Sequence, residues 1–421
     1  MKHRTTFLAL TALLCASACS SSDTSAPATT AAPAAETTPP GTTPATIEDR
    51  CLYRTDMLLT ADGALKGDQA EIDDKGLVLL TEPADALLPN VDAATFADID
   101  SKLDVYTVKE GSDPLAIAKS LSVEAAPVLV TEVSGHWTYA PGTPATPTSA
   151  PANPLTAGFA NGEPSAIVGV VDTGYTETAT TPAWLSSRAE PATGSNDDTS
   201  GEPVAGHGKF VASVVAEQNP AARIVVARMA NIDNKLIHQP ATDDEALPSD
   251  PTSFVVFDEL QMFVGISHLL QTTDEYDVLN LSVGTYQCAT LKTSGLAVLA
   301  ALDFWYEKTS TGGRAPAPVV AAAGNHRIGA PAESGFIPGQ LAPGSVTGPL
   351  VGVASVDSNT PALLSEFSNV ASVTAPGEHL VGIRIDGQWD DWGGTSFATA
   401  IVSANTNRSN IPSPGTAVPR V

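Results

Sequence analysis

Positive charge is scarce in this chain. Lys and Arg total 21 against 47 Asp and Glu, a net charge of −26. Nucleic-acid binding needs a basic footprint, so that class is excluded. The acidic surplus suits a soluble, self-repelling surface protein. Long apolar runs are also missing: no internal segment approaches the ~20 residues of a membrane-crossing helix. Cysteine is sparse, with four residues, Cys15, Cys19, Cys51 and Cys288. The seven histidines show no metal-type spacing, so no metal site is expected. At 421 residues the chain has room for one large domain and a smaller one.

The N-terminus has the pattern of a targeting segment. Lys2, His3 and Arg4 precede a short apolar core, Phe7 to Cys15. Ala16-Ser17-Ala18-Cys19 resembles a bacterial lipoprotein cleavage box, which makes Cys19 the lipidation candidate. An ordinary secretory peptide cut near Ala18 is the alternative. The chain is thus expected to be exported, as a surface lipoprotein or an extracellular protein. Residues 1–18 are the signal and 19–50 a low-complexity tether. Ser20 to Thr46 is rich in Ser, Thr, Ala and Pro and cannot bury enough apolar surface to fold. With two cysteines in the signal, Cys51 and Cys288 are the remaining pair. Export permits a disulfide between them; two buried thiols are the alternative.

Five runs carry the chemistry. Ala166 to Asp172 is a continuous apolar strand closed by a carboxylate, with Thr173-Gly174 after it. Asp-Thr-Gly also marks aspartic proteases, but the second copy they need is missing. Gly206-His207-Gly208 places a histidine at the start of a small-residue helix, 207 − 172 = 35 positions later. Val278 to Gly284 is a strand whose Gly-bearing end suits pairing with an extended peptide. Val319 to Asn325 is a strand ending in a side-chain amide, a candidate oxyanion donor. Gly393-Gly394-Thr395-Ser396 delivers a serine to a small apolar helix, Ser396 to Ala404. Unpaired N–H groups at that helix start favour an oxyanion beside Ser396.

Together these runs resemble the subtilisin-like serine proteases, peptidase family S8, whose triad also runs Asp, His, Ser along the chain. The resemblance covers about Ser165 to Ala404. It implies an α/β fold: a three-layer α/β/α domain with a mainly parallel sheet, at 161–404. It implies a serine endopeptidase in which Asp172 orients His207, His207 acts as general base and Ser396 attacks the scissile carbonyl. Asn325 and the Ser396 N–H would form the oxyanion hole. Leu281, Ser282, Val283 and Gly284 would line one wall of the substrate cleft, and Ala322, Ala323 and Gly324 the other. The partner would be a protein or peptide substrate, and no cofactor is required. Acidic loops of the family can bind calcium, which makes Asp243-Asp244-Glu245 a candidate cluster, though such a cluster is more often a solvated loop.

The resemblance also frames the rest of the chain. Residues 51–140 show α+β patterning, with strands at Gly76–Leu80, Leu103–Val108 and Pro127–Val133 and a helix at Asp113–Leu121. Such a unit resembles the family's propeptides, which aid folding and inhibit. Residues 141–160 form a Pro/Thr/Ala connector suited to maturation cleavage. There are departures. Lys209 follows the His-Gly pair, beside the base, where its charge would lower the histidine's pKa. Ala400 stands where a proline is usual. Only 421 − 396 = 25 residues follow the serine, and 405–421 is polar and Pro-rich, which leaves one side of the serine helix uncovered. The alternative function is therefore an inactive subtilisin-like binding protein or a truncated product.

Overall fold

The computed structural model describes residues 52–131, 164–195, 206–232, 257–288, 295–325 and 335–420, apart from positions 66, 343, 358–359 and 362; it adds 159, 236–238 and 291. The signal, Cys19, Cys51, most of the connector, the Asp243-Asp244-Glu245 cluster and His326 lie outside the described residues.

In chain order the elements are β1 (Tyr53–Ala61), α1 (Gln69–Lys75), β2 (Leu77–Leu79), α2 (Ala93–Asp100), β3 (Leu103–Val108), α3 (Pro114–Ser120) and β4 (Ala125–Thr131). Then follow β5 (Ala166–Asp172), α4 (Ala183–Ser186), β6 (Ala189–Pro191), α5 (His207–Gln218), β7 (Ala222–Arg228), β8 (Phe257–Asp258), α6 (Glu259–Thr272), β9 (Val278–Leu281), β10 (Thr285–Tyr286) and α7 (Leu296–Thr309). The last are β11 (Val319–Ala322), β12 (Phe336–Ile337), β13 (Leu350–Val356), β14 (Val373–Pro376), β15 (Leu380–Ile383), β16 (Trp389–Trp392) and α8 (Thr395–Ala404).

Seven strands form the main sheet in the order β14-β13-β11-β9-β5-β7-β6, and every pairing is parallel. Apolar runs build it because both faces are covered. Alternate residues of β5 divide between the layers. Val168 and Val170 pack with Phe210 of α5 and Phe397 of α8, while Val171 packs with Leu260 and Val264 of α6. From β5 the chain crosses to β7 through α5 on one face, and reaches β9 through α6 on the other. The carboxyl ends of β5 and β9 therefore flank a topological switch point, where open α/β sheets place their sites. The three-layer α/β/α arrangement is the one expected.

The N-terminal strands form a second sheet, β2-β3-β1-β4-β8, antiparallel throughout. Asp113 caps α3, accepting from Leu115 N at 2.9 Å, with Pro114 as the first helical residue. The sequence pattern missed β1, α1 and α2, and it gave no sign that β8 comes from the second half of the chain. Val130 pairs with Asp258 and Thr131 with Phe257.

The C-terminal segment corrects one expectation. Residues after α8 do not leave that helix uncovered. Thr374 N donates to Thr416 O at 3.0 Å and Val418 N to Thr374 O at 2.8 Å, so the tail runs along the β14 edge. Val418 is buried in the α8 core. The Arg408 guanidinium donates to Tyr276 O and Thr309 O at 2.6 and 2.9 Å. Polar and Pro-rich composition hid this because the tail is held through main-chain bonds, which need no apolar pattern. Among the described residues, no helix is long and apolar enough to cross a membrane.

Candidate active site

Asp172 ends β5, and its carboxylate faces the first residue of α5. His207 Nδ1 lies 2.7 Å from Asp172 Oδ1 and 2.9 Å from Oδ2, with both side chains fully buried. Asp172 Oδ1 also accepts from Thr173 N at 2.7 Å. The approach of helix to strand needs Gly208, because a Cβ there would meet Gly174 O at 2.5 Å and Asp172 Cβ at 3.1 Å. Thr173 Oγ1 accepts from Gly208 N at 3.0 Å and fastens the same junction. Bonded through Nδ1, the imidazole presents Nε2, which is buried without a hydrogen-bond partner among the described residues.

Ser396 sits in the first turn of α8. Phe397 next to it brings this turn against the histidine, with ring centroids 5.1 Å apart. Trp392 meets the same imidazole edge-on at 5.4 Å. Neither aromatic stood out in the sequence, since nothing local marks a tryptophan at the end of a hairpin as a neighbour of His207. The Ser396 hydroxyl donates to Ser282 O at 2.9 Å. In return, Ser282 Oγ lies 2.7 Å from Ser396 O and 2.9 Å from Asn280 Oδ1, and its single proton serves one of them at a time. Asn280 Nδ2 donates onward to Ser403 Oγ at 3.0 Å. A buried polar ladder thus joins β9 to α8 and sets the position of the Ser396 turn.

Asn325 is tied by one end. Its Oδ1 accepts from Thr395 N at 2.9 Å and from Thr395 Oγ1 at 2.8 Å. Those two donors fix which end of the amide is oxygen. Nδ2 is then the end directed at Gly394, 3.5 Å from where a Cβ would stand. Gly324 before it has φ +90, a conformation suited to glycine. Asn369 braces this turn, donating from Nδ2 to Ala323 O at 2.9 Å.

The residues expected to wall a cleft turn their side chains inward. Leu281, Val283 and Ala323 are fully buried, and Ala322 nearly so. A Cβ on Gly284 would collide with Phe336 and with Ile337 O. What these segments offer a ligand is main-chain hydrogen bonding. Lys209 does not face the base. It lies two positions along α5, and such residues point to different sides of a helix. Its Nζ donates to Thr181 Oγ1 at 2.7 Å and Ile385 O at 3.2 Å, near the Tyr175 ring. Burial lowers its pKa to about 8, against the opposing pull of Asp386 and Glu177. Among the described residues, no group of three His, Cys, Asp or Glu is placed to hold a metal ion.

Comparison with known proteins identifies the family. The subtilase family model, Peptidase_S8, matches residues 164–408, more than half of the chain. Fervidolysin from Fervidobacterium pennivorans, a keratinolytic enzyme related to subtilisin, aligns with TM-score 0.50 and 16% identity, covering 84% of this chain and 54% of its own. An epidermin leader peptide processing serine protease from Staphylococcus aureus aligns with TM-score 0.47 and 14% identity over 84% of this chain and 88% of its own. A cold adapted subtilisin-like serine proteinase aligns with TM-score 0.38 and 21% identity, over 59% and 76%. No curated protein matches the chain. With the parallel sheet, the buried Asp172–His207 pair and the serine at the head of α8 all inside the matched span, the chain belongs to the subtilase family, peptidase family S8, and is a serine-type peptidase.

Proposed function

We propose that this chain is an endopeptidase that cleaves protein or peptide substrates through an acyl-enzyme intermediate. The observation that carries this is the fully buried Asp172–His207 bond, with Nε2 bare and the α8 turn packed against the ring. Asp172 accepts the Nδ1 proton, which fixes the tautomer and leaves Nε2 as the base. The Ser396 hydroxyl donates a hydrogen bond to Ser282 O in the resting arrangement. To act, it turns that proton to Nε2 and attacks the carbonyl carbon. His207 then passes the proton to the leaving amine. Asn325 Nδ2 and the Ser396 N–H stabilise the oxyanion, and water completes the cycle by the same route.

The terminal features support a further reading. The lipobox-like Ala16-Ser17-Ala18-Cys19 and the tether behind it fit an exported, lipid-anchored enzyme. The α+β unit ahead of the peptidase stands where the family's propeptides stand. Cys51 is the proposed partner of Cys288. Labelling of Cys19→Ser with a fatty-acid analogue tests the anchor, and retained label would sink it.

The decisive experiment is labelling of purified protein with a fluorophosphonate probe beside Ser396→Ala. Label on the parent alone supports an activated nucleophile. A folded parent that stays unlabelled after its connector is cut rejects the endopeptidase reading.

A further inference from the structure

Cys288, just after β10, is disulfide-bonded and 3% exposed. The other three cysteines, Cys15, Cys19 and Cys51, all precede β1. Whichever of them is the partner, the bridge joins the chain ahead of the N-terminal sheet to the peptidase half. Cys288 packs in one buried cluster with Tyr53 of β1 and Leu129 of β4. Cys51 stands two positions before Tyr53, within a chain reach of about 7 Å.

We infer that the N-terminal α+β unit is a permanently retained subunit of the peptidase, held covalently through Cys288 even when the connector between β4 and β5 is cut. An inhibitory propeptide that leaves needs only a broken peptide bond and a weak interface. Here departure also requires a reductant.

The noncovalent interface points the same way, because it is built like an interior. One hydrophobic core runs through both halves, with Met57, Leu59 and Val128 packed among Leu260, Phe263 and Leu302. Arg54 and Asp258 form an ion pair at 2.8 Å with side chains 1% and 0% exposed. Arg54 Nη1 also donates to Leu87 O at 2.9 Å, and Asp56 closes the other face of the guanidinium at 2.7 Å. Burial opposes the charge on Arg54, but Asp258 and Asp56 outweigh it and raise its pKa. The neighbouring Glu259 is fully buried and joins three elements. Its Oε1 accepts from Leu129 N at 2.9 Å, and its Oε2 from Ala297 N and Val298 N at 3.0 and 3.3 Å. Removing the unit strips β4 from β8, uncovers the apolar face of α6 and leaves Asp258 without its counter-charge. If Cys19 carries a lipid, the bridge also keeps the peptidase on its anchor after the connector is cut.

The test uses the full chain carrying Ser396→Ala, so that it does not depend on activity. A site for a specific protease is inserted between Pro141 and Pro154, and the protein is made in an oxidising compartment. After cutting, a denaturing gel without reductant should show one species of full mass, and with reductant two fragments. The same cut chain with Cys288→Ser should part without reductant. In native buffer with reductant, the two fragments of the cut parent should still co-elute on size exclusion. That readout needs no cysteine substitution and so survives a variant that fails to fold. Two fragments without reductant in the parent would overturn the covalent tether. Separate elution of the reduced fragments in native buffer would overturn the fixed interface.

Discussion

Ser396 Oγ is bonded to a carbonyl oxygen at 2.9 Å, and His207 Nε2 has no hydrogen-bond partner among the described residues, so the proposed attack requires the Ser396 hydroxyl to turn. Substituting Ser396 or His207 with Ala should lower kcat by about 10⁶-fold, the size established for these residues in subtilisin itself. Single-turnover rates on a peptide ester check this, and a loss below tenfold would remove either residue from the mechanism. Asn325→Ala should lower kcat by about 10²–10³-fold with KM little changed, again the magnitude known for the subtilisin donor. An effect confined to KM would make Asn325 a ground-state contact. Lys209 gives a prediction of another kind. Its folded pKa, about 8, is below the ordinary lysine value of about 10.4. Between these values the unfolded chain binds more protons, so stability rises with pH across that window. Below pH 8 the full cost of the buried charge, about 3 kcal/mol, is present. Lys209→Met should therefore stabilise the protein at pH 7 relative to the parent, and the gap should narrow towards pH 10. Denaturation midpoints at both values decide it, and a gap independent of pH would contradict it.

At the scale of elements, the tail after α8 is the part most easily misjudged. Val418 plugs the α8 core, and Arg408 satisfies the carbonyls of Tyr276, just before β9, and of Thr309, at the end of α7. Arg408→Ala leaves those acceptors buried without donors and should cost about 1–3 kcal/mol. Val418→Ala should cost about 1.5 kcal/mol from lost apolar burial. Urea midpoints measure both, and neutral values would show the tail to be dispensable. The strands and helices that carry the site were legible in sequence because each is a continuous apolar run or a small-residue helix closed by a polar residue. Asp172, His207, Asn325 and Ser396 all stand at such ends. Strand β1 lacked that punctuation, and helix α2 offers only its Asp92 cap. Strand β8 is two residues long, and no local pattern announces a pairing that short.

At the scale of the whole molecule, the buried Arg54–Asp258 pair is the link whose loss should be felt furthest. Arg54→Met strands a buried carboxylate and should destabilise by about 3–5 kcal/mol. Adding Asp258→Asn should recover part of that loss, since the remaining group is then neutral. Thermal unfolding of the two singles and the double measures the coupling, and purely additive losses would show that the pair does not interact.

Sequence alone determined the candidates for the chemistry. Residue types, their order and their places at strand and helix ends name a nucleophile, a base, an orienter and an amide donor, because that chemistry needs those groups whatever surrounds them. Tertiary structure decided how they are held. It set Ser396 against Ser282, packed Trp392 on His207, turned Lys209 away from the base, and drew β4, β8, Asp258 and Glu259 into one interior. Those relations join residues up to 204 positions apart. Such partners meet only when the chain has packed, and no local pattern records them.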